Sequence, residues 1–142
     1  MKKKFTLPNM EFTFQIQSKG EETDINWVGE FKYKRPTLGA RSRIASLRSR
    51  LNGDVETLEQ EIEDFNHAAA YLRYTLTDFP QWWEDASFGM DMYDGNIISD
   101  IYNKCMTWEA EWQKKIHNPD PEKVADVQDQ KPEQDADGEV TG

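Results

Sequence analysis

The stretch Val55–Leu76, VETLEQEIEDFNHAAAYLRYTL, carries apolar side chains at Val55, Leu58, Ile62, Phe65, Ala69, Leu72 and Leu76. Steps of three and four residues put all seven on one stripe of an α-helix. The same spacing recurs later, at Ile98, Ile101, Cys105, Trp108, Trp112 and Ile116, and in shorter form at Ala40, Ile44, Leu47 and Leu51. Three helices with one apolar face each must bury those faces, and the nearest partners are one another.

Outward from these helices the period changes. Met10, Phe12, Phe14 and Ile16 alternate with Glu11, Thr13, Gln15 and Gln17, the pattern of a strand with one wet face. After the polar segment Ser18–Asp24, alternation resumes at Ile25, Trp27, Phe31 and Tyr33, with Gly29 keeping the phase. The pair reads as an antiparallel hairpin, and Gly29 as a bulge or a point of close approach by a neighbouring aromatic. An isolated hairpin is marginal in water, so its aromatic face has to lie on the helices or on another chain. Phe5–Leu7 is a candidate third strand.

Local signals set the helix ends. Pro36 stops the extended segment, and Thr37 is placed to cap the first helix. Asn52-Gly53 stops that helix, Asp54 is placed to cap the next, and Pro80 opens a short helix carrying Trp82 and Trp83. Asp94 or Asn96 starts the last long helix, which His117-Asn118-Pro119 ends. The expected fold class is therefore α+β, mainly α. A β-hairpin at 10–34 packs on a three-helix bundle at about 37–51, 54–77 and 96–117. Residues 1–117 form one globular domain, followed by an acidic tail, 118–142, too poor in apolar residues to order itself.

Charge is distributed unevenly over the 142 residues, whose net charge is −10. Residues 1–50 are net basic, whereas 51–117 and 118–142 are both net acidic. Such asymmetry favours head-to-tail contact within the chain or between copies. The sharpest local feature is the basic run Lys32, Lys34, Arg35, Arg41, Arg43, Arg48 and Arg50, with no acid between Phe31 and Gly53. Such a helix could sit on nucleic acid phosphates. The acid-rich neighbouring helix and the overall acidity favour instead a role for Arg41, Arg43, Arg48 and Arg50 in pairing with that helix or with a protein partner.

Trp27, Phe31, Trp82 and Trp83 complete the candidate partner-binding set. Adjacent tryptophans on a helix point about 100° apart. One of Trp82 and Trp83 is thus expected in the core and the other as a lid or an interface anchor. Asp91, Asp94 and Asp100 lack the spacing of a calcium loop, and His67 and His117 have no partners at zinc spacing. Neither a Gly-rich phosphate loop nor a nucleophile elbow is present, so the residues describe a binding protein rather than an enzyme, with no cofactor called for. No run approaches the ~20 apolar residues of a membrane span, and the single Cys fits a cytosolic setting.

Three blocks carry a resemblance: Trp27–Leu38 (WVGEFKYKRPTL), Leu76–Trp83 (LTDFPQWW) and Asp94–Ile98 (DGNII). Over about Phe12–Trp112 the chain resembles the tail assembly chaperones of long-tailed bacteriophages. The resemblance implies a non-enzymatic protein of the host cytoplasm. It would coat the helical tape-measure protein, keep it soluble and recruit tail tube subunits before the tube polymerises. A structural virion component at the tail or head–tail junction is the alternative, and a nucleic-acid-binding regulator a third.

Overall fold

Alternating side chains build the hairpin at the front of the chain. In the computed structural model, which describes residues 8–53 and 55–117, strand β1 (Glu11–Lys19) runs antiparallel to β2 (Asn26–Lys34). Phe12 faces Tyr33 and Phe14 faces Phe31 across the ladder, so one face of the hairpin is an aromatic sheet. The opposite face is wet, with Gln15 bonded to Glu30 and Lys32 paired with Glu11. Gly29 causes no bulge. A Cβ there would lie 2.6 Å from Cγ of Pro80 and 3.3 Å from the Trp82 indole nitrogen, so the glycine admits those two rings.

The helix α1 (Leu38–Asn52) follows as its caps dictate: the Thr37 hydroxyl accepts from the Ala40 N–H, and Gly53, at φ 66°, closes the far end. The next helix departs from expectation at both ends. Helix α2 spans Gln60–Thr75, not 54–77. Val55 and Leu58 precede it, and Val55 is 58% exposed. Leu58 is half-buried but Val55 is not, so this segment has too little tertiary burial to hold a helical turn, and propensity alone does not extend the helix. Asp54, the expected cap, lies outside the described residues.

At its other end α2 stops because Leu76–Asp78 forms a short strand, β3, antiparallel to β2. Leu76 pairs with Tyr33 and is buried, so one residue completes a sheet edge and joins the core. The third strand thus comes from Leu76–Asp78; Phe5–Leu7 lies outside the described residues. Pro80 caps the short helix α3 (Gln81–Asp85), and α4 (Gly95–His117) is the longest helix.

The expected three-helix bundle does not form. Instead α2, α3 and α4 bring Ala68, Leu72, Trp83, Ile97, Ile98, Ile101 and Cys105 together with the sheet residues Phe14, Ile16, Phe31, Tyr33 and Leu76 in one core. Helix α1 packs on α2 and contributes nothing to that cluster; its one buried residue is Ile44. The magnitudes explain the choice. Burying Phe14, Phe31 and Tyr33 removes on the order of 500 Å² from water, about 12 kcal/mol at 25 cal/mol/Å², against about 2 kcal/mol for one isoleucine. The sheet outcompetes α1 as the surface on which α2 and α4 settle. The molecule is therefore a mixed α/β fold, a three-stranded antiparallel sheet with four helices.

The chain divides after Trp108. The first unit holds the sheet, α1 to α3 and α4 as far as Trp108. Of the second, the described part is the end of α4, Glu109–His117. The expected acidic tail, 118–142, lies outside the described residues.

Candidate protein-binding site

The acid at the start of α4 fastens that helix to the hairpin. Asp94 is fully buried, and its Oδ1 accepts from the Glu22 and Thr23 N–H groups at 2.8 and 3.0 Å. Its Oδ2 accepts from the Thr23 hydroxyl at 2.5 Å and the Trp27 indole N–H at 2.9 Å. Burial by itself would push the carboxyl pKa up; the bonds from Thr23, Trp27 and the two amides outweigh it and hold the pKa at about 2. Asn96 completes the clamp, accepting from the Glu21 N–H and donating to the Lys19 carbonyl. Gly20 is required at the centre, because a Cβ there would overlap the Asp94 carboxylate.

The four aromatic candidates converge around this clamp, and they divide by burial. Phe31 and Trp83 are fully buried in the core and present no surface to a partner. Trp27 and Trp82 are half-buried and lean on each other with ring centroids 4.8 Å apart, and the Trp82 indole donates to the Val28 carbonyl. Of the adjacent tryptophans, Trp83 is thus the core residue and Trp82 a lid on β2.

Arg41, Arg43, Arg48 and Arg50 are all exposed, and the structure does not bring them to one face. On α1, Arg41 and Arg48 form one row and Arg43 and Arg50 another, roughly 160° apart, flanking the apolar stripe of Ile44, Leu47 and Leu51. Their expected pairing with the acids of α2 is not made among the described residues, where Lys19 pairs with Asp24 and Lys32 with Glu11. The two helices are held instead by that stripe and by Asn66, whose amide donates to the Leu51 carbonyl and the Asn52 side chain.

The surface best shaped for a partner was not in the sequence-derived set. Between α2 and α4 lie two open depressions that share Glu61 and Phe65. The first, about 470 Å³, is bounded by Asp64, His67, Ser99 and Tyr102. The second, about 390 Å³, reaches the hairpin loop at Glu21 and Glu22 and the segment Met90–Tyr93. Around it Ile62 is 43% exposed, Met90 45% and Tyr93 83%. Methionine is adaptable in shape, and clustered exposed apolar groups mark interaction surfaces. In the sequence Ile62 and Phe65 read as core residues, because periodicity shows which side of a helix is apolar and not what covers it.

His67 stands on the rim of the first depression, its ring against those of Tyr71 and Tyr102. Its Nδ1 is buried without a hydrogen-bond partner. Burial, assisted by the charge of Arg48 and opposed by Asp64, lowers its pKa, so at neutral pH it adds no positive charge to the cleft. Among the described residues, no three His, Cys, Asp or Glu side chains gather as a metal site, and no helix is long and apolar enough to cross a membrane.

No protein-family model, no characterised protein and no solved structure matches the chain.

Proposed function

We propose that this protein is a non-enzymatic assembly chaperone that holds an apolar helical segment of a client in the cleft between α2 and α4. The observation carrying the reading is the pair of joined depressions around Phe65, with Ile62, Met90 and Tyr93 left exposed beside them. An apolar groove between two helices suits an amphipathic helix, whose anchors at i and i+4 or i+7 enter successive depressions. The resemblance to phage tail assembly chaperones assigns the client as the tape-measure protein, with tail tube subunits recruited to the complex in the host cytoplasm.

Co-expression with the tape-measure protein tests this. The expected result is a soluble complex before assembly, with the chaperone missing from purified particles. A client whose solubility is indifferent to Ile62→Asp in the cleft overturns the reading. Retention in particles would favour the virion component instead, for which β1, an edge strand among the described residues, offers a place to add a strand.

A further inference from the structure

We infer that the α2–α4 cleft selects a partner helix whose apolar stripe is flanked by lysine or arginine. The inference rests on the client-binding reading and adds the chemistry that decides which helix is accepted.

The charged residues that line the cleft are all acidic, with Arg48 the cation near enough to act on His67 and Tyr102 at one edge of the first depression. Glu61 and Asp64 stand along α2, and Glu21 and Glu22 approach from the hairpin loop. No lysine or arginine lines either depression, and none of these four carboxylates forms an ion pair with another described residue. A helix that seats apolar anchors around Phe65 brings the residues flanking its stripe against this rim. Basic flanks find carboxylates there, whereas acidic flanks meet like charge from every charged residue of the lining. The same sign excludes a phosphate backbone, which would be repelled where the surface is most apolar.

A second copy of this chain is the competing occupant, because α1 is itself an apolar stripe flanked by arginines. That stripe is already engaged: Ile44 is buried and Leu47 and Leu51 are half-buried in the packing of α1 on α2. Releasing it to another molecule would strip α2 of its cover, including the Asn66 bonds to Leu51 and Asn52. Helix α1 of a second copy is therefore not the occupant, and the cleft is assigned to a helix of a different protein.

Two labelled peptides of about 18 residues, long enough for a helix, test the point. They share one apolar stripe and carry either Lys/Arg or Glu flanks, and fluorescence anisotropy reads their binding to the full chain. The basic peptide is expected to bind about tenfold tighter or better at about 50 mM salt, with the gap narrowing toward about 500 mM as screening shortens the electrostatic range. Glu61→Lys with Asp64→Lys, both exposed positions, should abolish or reverse the preference while the chain stays folded. Loss of the first-turn charge and of the Gln60–Asp64 bond should lower its melting temperature by a few degrees at most. Equal binding of the two peptides, or a preference that survives the double substitution, overturns the charge selection yet leaves apolar client binding standing. Binding of neither peptide overturns it as well, and co-expression with the client then decides separately whether the chaperone reading survives. Concentration-dependent self-association in sedimentation, lost in both the Glu61→Lys/Asp64→Lys and the Arg41→Glu/Arg48→Glu chains, would assign the cleft to a second copy and overturn the proposal.

Discussion

The Trp27 indole N–H donates to the Asp94 carboxylate at 2.9 Å across 67 positions of sequence, joining β2 to the start of α4. One bond therefore links the two halves of the chain that local patterning leaves independent. Because that carboxylate also takes the Glu22 and Thr23 donors, its loss would free the hairpin loop from the helix and leave several N–H groups unpartnered at once.

Asp94→Asn should lower the melting temperature by on the order of 5–10 °C at neutral pH, since the new amide presents hydrogens to donors. The pH dependence has a definite sign. A carboxyl with a folded-state pKa of about 2 against an ordinary 3.8 contributes stability that is complete above about pH 4 and is lost as pH falls toward 2. Thermal melts of both proteins should converge over that interval. A gap between them that stays constant down to pH 2 would contradict the clamp.

His67 gives a slope at higher pH. Its folded pKa lies below 6.5, so as pH drops through 6.5 the unfolded chain takes up a proton that the folded chain resists. Stability should decline from about pH 6.5 downward, with Arg48 reinforcing the effect and Asp64 and the neighbouring tyrosine rings unable to offset it. Denaturant titrations of His67→Gln at pH 5.5 and 7.5 should show a smaller difference than the parent chain shows.

Gly29→Ala should destabilise by about 1–3 kcal/mol, the usual range for overpacking, because the added methyl would meet the rigid ring of Pro80 at 2.6 Å. Gly39→Ala, inside α1 where an added Cβ meets nothing closer than 3.7 Å, should cost nothing or stabilise slightly. Urea midpoints of the pair separate a steric role for Gly29 from a general intolerance of side chains.

The arginines of α1 are expected to be dispensable for folding. With no ion pair to the described acids, Arg41→Glu with Arg48→Glu should change stability by less than about 1 kcal/mol. A large loss would mean that these side chains hold α1 in place.

Tyr93→Ala should leave the melting temperature within a degree or two, since the ring is 83% exposed, while weakening capture of a helical client by about tenfold. Solution binding and calorimetry on one preparation test both halves of the statement.

Periodicity and punctuation were enough to place the hairpin, α1 with its Thr37 cap, the helix at Pro80 and the long final helix, because period and capping are local properties of the chain. The same signals located the aromatic candidates without separating Phe31 and Trp83, which the core absorbs, from Trp27 and Trp82, which stay half-exposed. Nothing local could show that Leu76 leaves its helix to pair with Tyr33, or that α1 stands outside the core while the aromatic sheet face takes α2 and α4. The apolar stripe at 55–76 is continuous in sequence, yet Val55 at its start is exposed and its middle borders the cleft. Which apolar face meets which partner depends on competition among surfaces far apart in the chain. Amino-acid order settled most of the elements, and tertiary packing decided where α2 begins, that Leu76–Asp78 is a strand, and what each element covers or leaves exposed.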